Sequence, residues 1–173
     1  HTHWGGPEQA RPRGGEPAER VRREGAWLRD RGLRPTLFCG GGWYLDDAVA
    51  EVAAELGYAD CTATAFRPAY LPDGAPRAGL GAPARLVLSS GRRLLELPST
   101  HSLGSAAKGV FGRLPAHVHV YFHDTDLLDR RRRVALLAAL ALLGRRRSPV
   151  DLDVLAAGLD PPEALFSEAA SAR

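Results

Sequence analysis

Between Pro35 and Ala65 the chain reads as strand, glycine loop, helix and strand in "PTLFCGGGWYLDDAVAEVAAELGYADCTATA". Pro35 to Cys39 is a short apolar run that enters three glycines. "LDDAVAEVAAELGY" carries acidic residues in its first turn and Gly57 at its end, the usual start and stop signals of a helix. "ADCTATA" then returns to strand character. Two strands joined through a helix pair in parallel, because a parallel pair needs a crossover of a dozen or more residues.

The alternation continues on both sides. "EPAERVRREGAWLRDRG" spaces Val21, Ala26, Trp27 and Leu28 at roughly helical intervals, predicting a first helix from Pro17 to Arg31 stopped by Gly32. After a Pro/Gly-rich loop from Arg67 to Pro83, "ARLVLSSGRRLLELPS" predicts two strands around Ser90 and Gly91, a hairpin. "HSLGSAAKGVFG" predicts a short helix, "HVHVYFH" a strand ending at His123, and "DLLDRRRRVALLAALALLG" the next helix. Strands alternating with helices predict an α/β fold, either a barrel or a doubly wound sheet. Residues 1–157 are assigned to that domain, and 158–173, rich in alanine, serine, proline and acid, to a loosely ordered tail.

Charge and composition narrow the function classes. The 23 basic residues, all arginine but Lys108, are interspersed with 20 acidic ones for a net charge of +3, so no phosphate-tracking surface and no nucleic-acid partner are expected. The arginine runs 130–133 and 145–147 are expected to solvate the ends of a helix. The apolar stretch between them, Val134 to Leu143, falls short of the ~20 residues a membrane-crossing helix needs. Being apolar all round, it predicts a helix buried in the domain. Cys39 and Cys61 lack the C-x-x-C spacing of a redox or zinc motif and read as core thiols. No charged segment followed by an apolar one marks a signal peptide, which points to a cytoplasmic location, although the lack of any methionine suggests a truncated start.

The residues with chemistry lie just after the expected strands: "CGGGWY", "FRPAY" and "HDTD", with "HTHWGG" at the start of the chain. In barrel enzymes the functional groups gather in those loops. The combination of a histidine-bearing loop, strand–helix alternation and a late strand ending in histidine resembles the polysaccharide deacetylase (NodB-homology) family over residues 1 to 155. The resemblance implies a distorted (β/α) barrel, here partial, with the first strand and first motif missing. It also implies hydrolysis of an N-acetyl or similar acyl group on an acetylated carbohydrate by water activated on a divalent metal, with zinc the leading candidate. The products would be a free amine and acetate. A deacetylase-like domain that binds carbohydrate or a protein partner without turnover is the alternative.

Carried over residue by residue, the resemblance makes His3 a metal ligand, as the last histidine of an H-[ST]-x-x-H motif whose first histidine would precede the chain. The competing reading of "HTHWGG" is a solvated terminal loop. His123 matches the histidine of the fifth motif and would protonate the departing nitrogen, a task suited to a group that exchanges protons near neutrality; the competing reading is a histidine that ends a strand. Asp124 and Asp126 are placed either to orient that imidazole or, for Asp126, to cap the following helix. The R-x-P-[YF] motif is replaced by "LFCGGGWYLDD", in which Tyr44 would take the place of the motif's aromatic residue. Gly40 to Gly42 would let backbone N–H groups approach an oxyanion, or would form a plain tight turn. Trp43 would form a sugar-facing wall or pack beneath the loop. Arg67 stands where the fourth motif would come and would brace a carboxylate, or is a simple loop arginine. His101 follows another expected strand and would line the same mouth.

Overall fold

A computed structural model describes residues 17–68, 75–109 and 111–171. The first helix, α1, runs Pro17–Asp30, and the strand–loop–helix–strand unit follows as β1 (Leu37–Phe38), a 3-10 turn (Gly41–Trp43), α2 (Asp47–Glu55) and β2 (Ala59–Asp60). The punctuation read in the sequence works as expected. Asp46 caps α2 by accepting from the Val49 N–H at 2.8 Å, and Gly57 ends it at φ 73°.

The hairpin is β3 (Ala84–Val87) and β4 (Arg93–Glu96), antiparallel, with Gly91 at φ 82° in its turn. Beyond it lie β5 (His101–Ser102), α3 (Leu103–Gly109), β6 (Val120–Tyr121), α4 (Asp124–Leu128), α5 (Arg130–Gly144), α6 (Leu152–Gly158), β7 (Glu163–Leu165) and α7 (Phe166–Ser171). β1 pairs in parallel with β2, β2 with β4, and β5 with β6. The segment from β4 to β5 stays beside the continuation of β2 through a parallel bridge between Thr64 and Ser99, and the Thr100 and His101 amides donate to the His119 carbonyl. The architecture is a mixed α/β layer structure around a largely parallel sheet. Among the described residues no closed barrel forms, and β1 and β7 are the edges of the five-stranded sheet.

One sheet face carries the main core, where Phe38, Leu86 and Leu94 pack against Val21 of α1 and Val49, Val52 and Ala53 of α2. The other face packs Cys61 and Leu97, with Cys39 beside them, against Leu152, Leu155 and Leu159. Both cysteines are free thiols, and burial pushes Cys39 up to about 12 and Cys61 higher still, so neither is a thiolate at neutral pH.

Two expectations are corrected. Residues 158–173 were expected to be a loose tail, yet β7 pairs in parallel with β3 and Phe166 and Ala169 are buried in the main core. Composition hid this, because a three-residue strand is stabilised by its partner rather than by its own sequence. The apolar run Val134 to Leu143 was expected to be buried all round. α5 instead buries Leu136, Ala139 and Leu143, while Val134, Leu137 and Leu140 stay 59%, 60% and 47% exposed. The helix has a packing layer on one side only, supplied by α3, α4 and the segment around Leu114. The flanking arginines bind nearby carbonyls, Arg146 that of Gly112 and Arg147 that of Leu114. No described helix is long and apolar enough to cross a membrane.

An exposed apolar stripe of this kind favours self-association. Leu137→Glu combined with Leu140→Glu is expected to convert a concentration-dependent oligomer into a monomer by light scattering. The melting temperature should barely move, since exposed substitutions change stability by about 0.5 kcal/mol or less. Identical monomeric profiles for parent and variant would show that the stripe drives no association.

Candidate functional site

The turns after β1 and β2, in the five-stranded sheet, and the end of β6, in a separate two-stranded parallel sheet with β5, bring their side chains together. Trp43 lies in the first loop, Phe66 in the second, and Tyr121 closes β6, and the three rings meet. Trp43 sits edge-on to Tyr121 with centroids 4.8 Å apart, Phe66 stacks on Tyr121 at 5.5 Å, and Trp43 and Phe66 are edge-on at 6.2 Å. His123 packs edge-on against Tyr121 at 5.8 Å. Trp43 and His123, 80 positions apart, are thus joined through one tyrosine ring. His123 is exposed, Phe66 and Tyr121 are half-buried and Trp43 is buried.

The "CGGGWY" loop is a strained turn. Gly42 adopts φ 61°, ψ 22°, and Trp43 also lies at φ 61°, a left-handed conformation that costs a non-glycine residue about 1–3 kcal/mol and persists only where the surroundings impose it. The Trp43 indole N–H is buried with no hydrogen-bond partner, a second unfavourable feature of the same side chain. Gly40 is required by packing: a Cβ there would stand 2.3 Å from the Tyr44 carbonyl oxygen.

Tyr44 does not join the aromatic group. Its ring lies in the main core and its hydroxyl donates to Asp46, the α2 cap. Arg67 is exposed after β2, lining a shallow cleft with Thr64, Phe66 and Arg77. Asp124 is exposed at the start of α4, where its carboxylate accepts from the Thr125 N–H at 2.8 Å. Asp126 accepts from the His123 backbone N–H at 3.0 Å and pairs with Arg132, so it caps α4. The His123 N–H and Arg132 hold the Asp126 carboxyl below the usual carboxylate range. His101 turns its Nδ1 toward the Thr100 hydroxyl, 2.8 Å away, and partial burial lowers its proton affinity. His3 lies outside the described residues.

Reading the sequence missed Phe66 and Tyr121. Phe66 was visible within "FRPAY", and Tyr121, two positions before His123 in an extended segment, shares its face. It also missed Asp60 and Glu96, which sit side by side, fully buried, on β2 and β4.

A divalent metal, implied by the resemblance, needs several donors at one point. Among the described residues no three His, Cys, Asp or Glu side chains come together to hold one, so those residues alone do not fit a metal. The accessible parts of the mouth are the half-buried rings of Phe66 and Tyr121 and the exposed imidazole of His123, while Trp43 is buried. No family model matches this chain, and neither a curated protein nor a solved structure matches it.

Proposed function

We propose that this protein is a deacetylase-like domain whose strand-end mouth takes an N-acylated glycan and promotes its deacylation. The observation that carries this reading is the cluster of Trp43, Phe66 and Tyr121 with His123 at its edge, drawn from the segments that follow β1 and β2 and from the end of β6. In this reading the parallel strands are an arc of a distorted (β/α) barrel of the polysaccharide deacetylase type. The Phe66 and Tyr121 rings hold the sugar ring, and the exposed imidazole of His123 gives a proton to the nitrogen as water adds to the acyl carbon and the C–N bond breaks. The free amine and the carboxylate leave, and the proton lost by the water passes to solvent. No step is assigned to a metal. His3, from the resemblance, remains the residue proposed to hold one.

A second reading, glycan binding without turnover, is favoured by two placements: the Tyr44 hydroxyl is committed to Asp46, and the described residues assemble no metal donor set. Titration with an N-acetylglucosamine tetramer in the presence of zinc, followed by an acetate assay, separates the two. Phe66→Ala is expected to weaken binding about tenfold, given ~1.5 kcal/mol for an aromatic contact. His123→Ala is expected to abolish acetate release while binding persists, and His3→Ala to lower bound zinc. Binding without release by the parent selects the second reading, and absence of binding removes both.

A further inference from the structure

Asp60 and Glu96 are register partners on adjacent strands, and both are fully buried. Their register neighbours on either side, Phe38 and Ala84, belong to the apolar core. Each carboxyl commits one oxygen to a loop of the mouth. Asp60 Oδ1 accepts from the Thr62 N–H at 3.0 Å and from the Thr62 hydroxyl at 2.5 Å, and that hydroxyl accepts from the Gly40 N–H at 2.6 Å. Glu96 Oε1 accepts from the Ala63 N–H at 2.8 Å. The remaining oxygens, Asp60 Oδ2 and Glu96 Oε2, are buried without a donor. Two neighbouring carboxylates in an apolar layer cannot both stay ionised, and a single proton between them supplies the donor that both orphan oxygens lack.

We propose that Asp60 and Glu96 share one proton across neutral pH, and that this carboxyl pair positions the Gly40–Trp43 and Thr62–Phe66 loops on which the aromatic mouth is built. Glu96 is the proton carrier, because Asp60 accepts two hydrogen bonds from Thr62 that favour its ionised form, whereas Glu96 accepts one from a backbone amide and faces the Asp60 charge. Burial first, and the Asp60 charge second, raise Glu96 well above the usual carboxylate range. The two residues are positioning residues whatever the mouth binds.

The surrounding titratable groups are the thiols of Cys39 and Cys61, which directly follow β1 and β2, and Asp153 on α6. The acids of α2 are occupied elsewhere, Asp46 by Val49 and Tyr44, Asp47 by Ser89, Glu51 by Ser90 and Arg92, and Glu55 by Arg22. Arg85 on β3 turns to Asp160, and Glu168 on α7 is exposed.

A raised carboxyl stabilises the fold fully below its unfolded value and loses that contribution as pH rises toward the folded one. His101, His117 and His119 are shifted downward by burial and act in the opposite sense below about pH 6.5. The thiols act only above about pH 8.5. Between roughly pH 7 and 8.5, outside the ordinary ranges of those groups, the carboxyl pair dominates.

The test is urea unfolding of the full chain across that window, with Trp43 emission followed in a Trp4→Phe, Trp27→Phe background. The folding constant of the parent is expected to fall about tenfold per pH unit. Glu96→Gln, whose amide donates to Asp60 without titrating, should fold, lose the slope and hold Trp43 emission constant with pH. Carbon NMR of carboxyl-labelled parent protein should show one side-chain carboxyl protonated at neutral pH, a readout independent of any variant. A parent without that protonated carboxyl, a flat parent profile, or a Glu96→Gln protein that keeps the parent slope overturns the proposal.

Discussion

Gly40→Ala is expected to cost about 4 kcal/mol, the range reserved for substitutions that force backbone to move. The new Cβ would stand 2.3 Å from the Tyr44 carbonyl oxygen and 3.1 Å from Thr62 Cγ2. The first of these is backbone, which no rotamer change can relieve. Retreat of the turn would also pull the Gly40 N–H from the Thr62 hydroxyl, and with it the link to Asp60. Gly57→Ala is the control: its left-handed φ of 73° meets nothing within 4 Å, so only the conformational cost of ~1–2 kcal/mol applies. Urea unfolding of both variants checks the contrast. A Gly40→Ala protein as stable as Gly57→Ala would mean that the turn is not closed on Tyr44.

Phe166→Ala is expected to destabilise by about 3–5 kcal/mol, the cost of removing a buried aromatic ring from a filled core. Phe111→Ala, at a side chain 80% exposed, should change little. Phe166 follows the strand that completes the sheet beyond β3, and the Arg93–Glu163 ion pair and the Arg85 N–H bond to the Pro162 carbonyl tie that strand in place. A loss under about 0.5 kcal/mol, typical of surface sites, would restore the reading of 158–173 as a loose tail.

Much of the local order was legible in the residues themselves. Asp46 before an apolar-periodic run, Gly57 after it and Gly91 between two apolar stretches each act within a few positions of their own place, so helix, stop and hairpin could be read in advance. The parallel character of the sheet followed from the alternation. Trp43 and His123 could be chosen as candidates because each lies just after a strand, where side chains collect at one end of a sheet.

Tertiary structure decided the rest. Asp60 in "YADCTA" and Glu96 in "LLELPS" look like ordinary polar residues of half-exposed strands, and only the pairing of β2 with β4 makes them one buried unit. Tyr44 is one residue from Trp43, yet the turn sends its ring into the core and Trp43 to the aromatic cluster. The exposed stripe of α5 and the strand at Glu163–Leu165 likewise depend on which surfaces are present to cover or pair with them. Caps, turns and helical periods are settled by forces acting over a few residues. Burial, shared protons and strand edges are settled by neighbours distant in the chain, which no local pattern encodes.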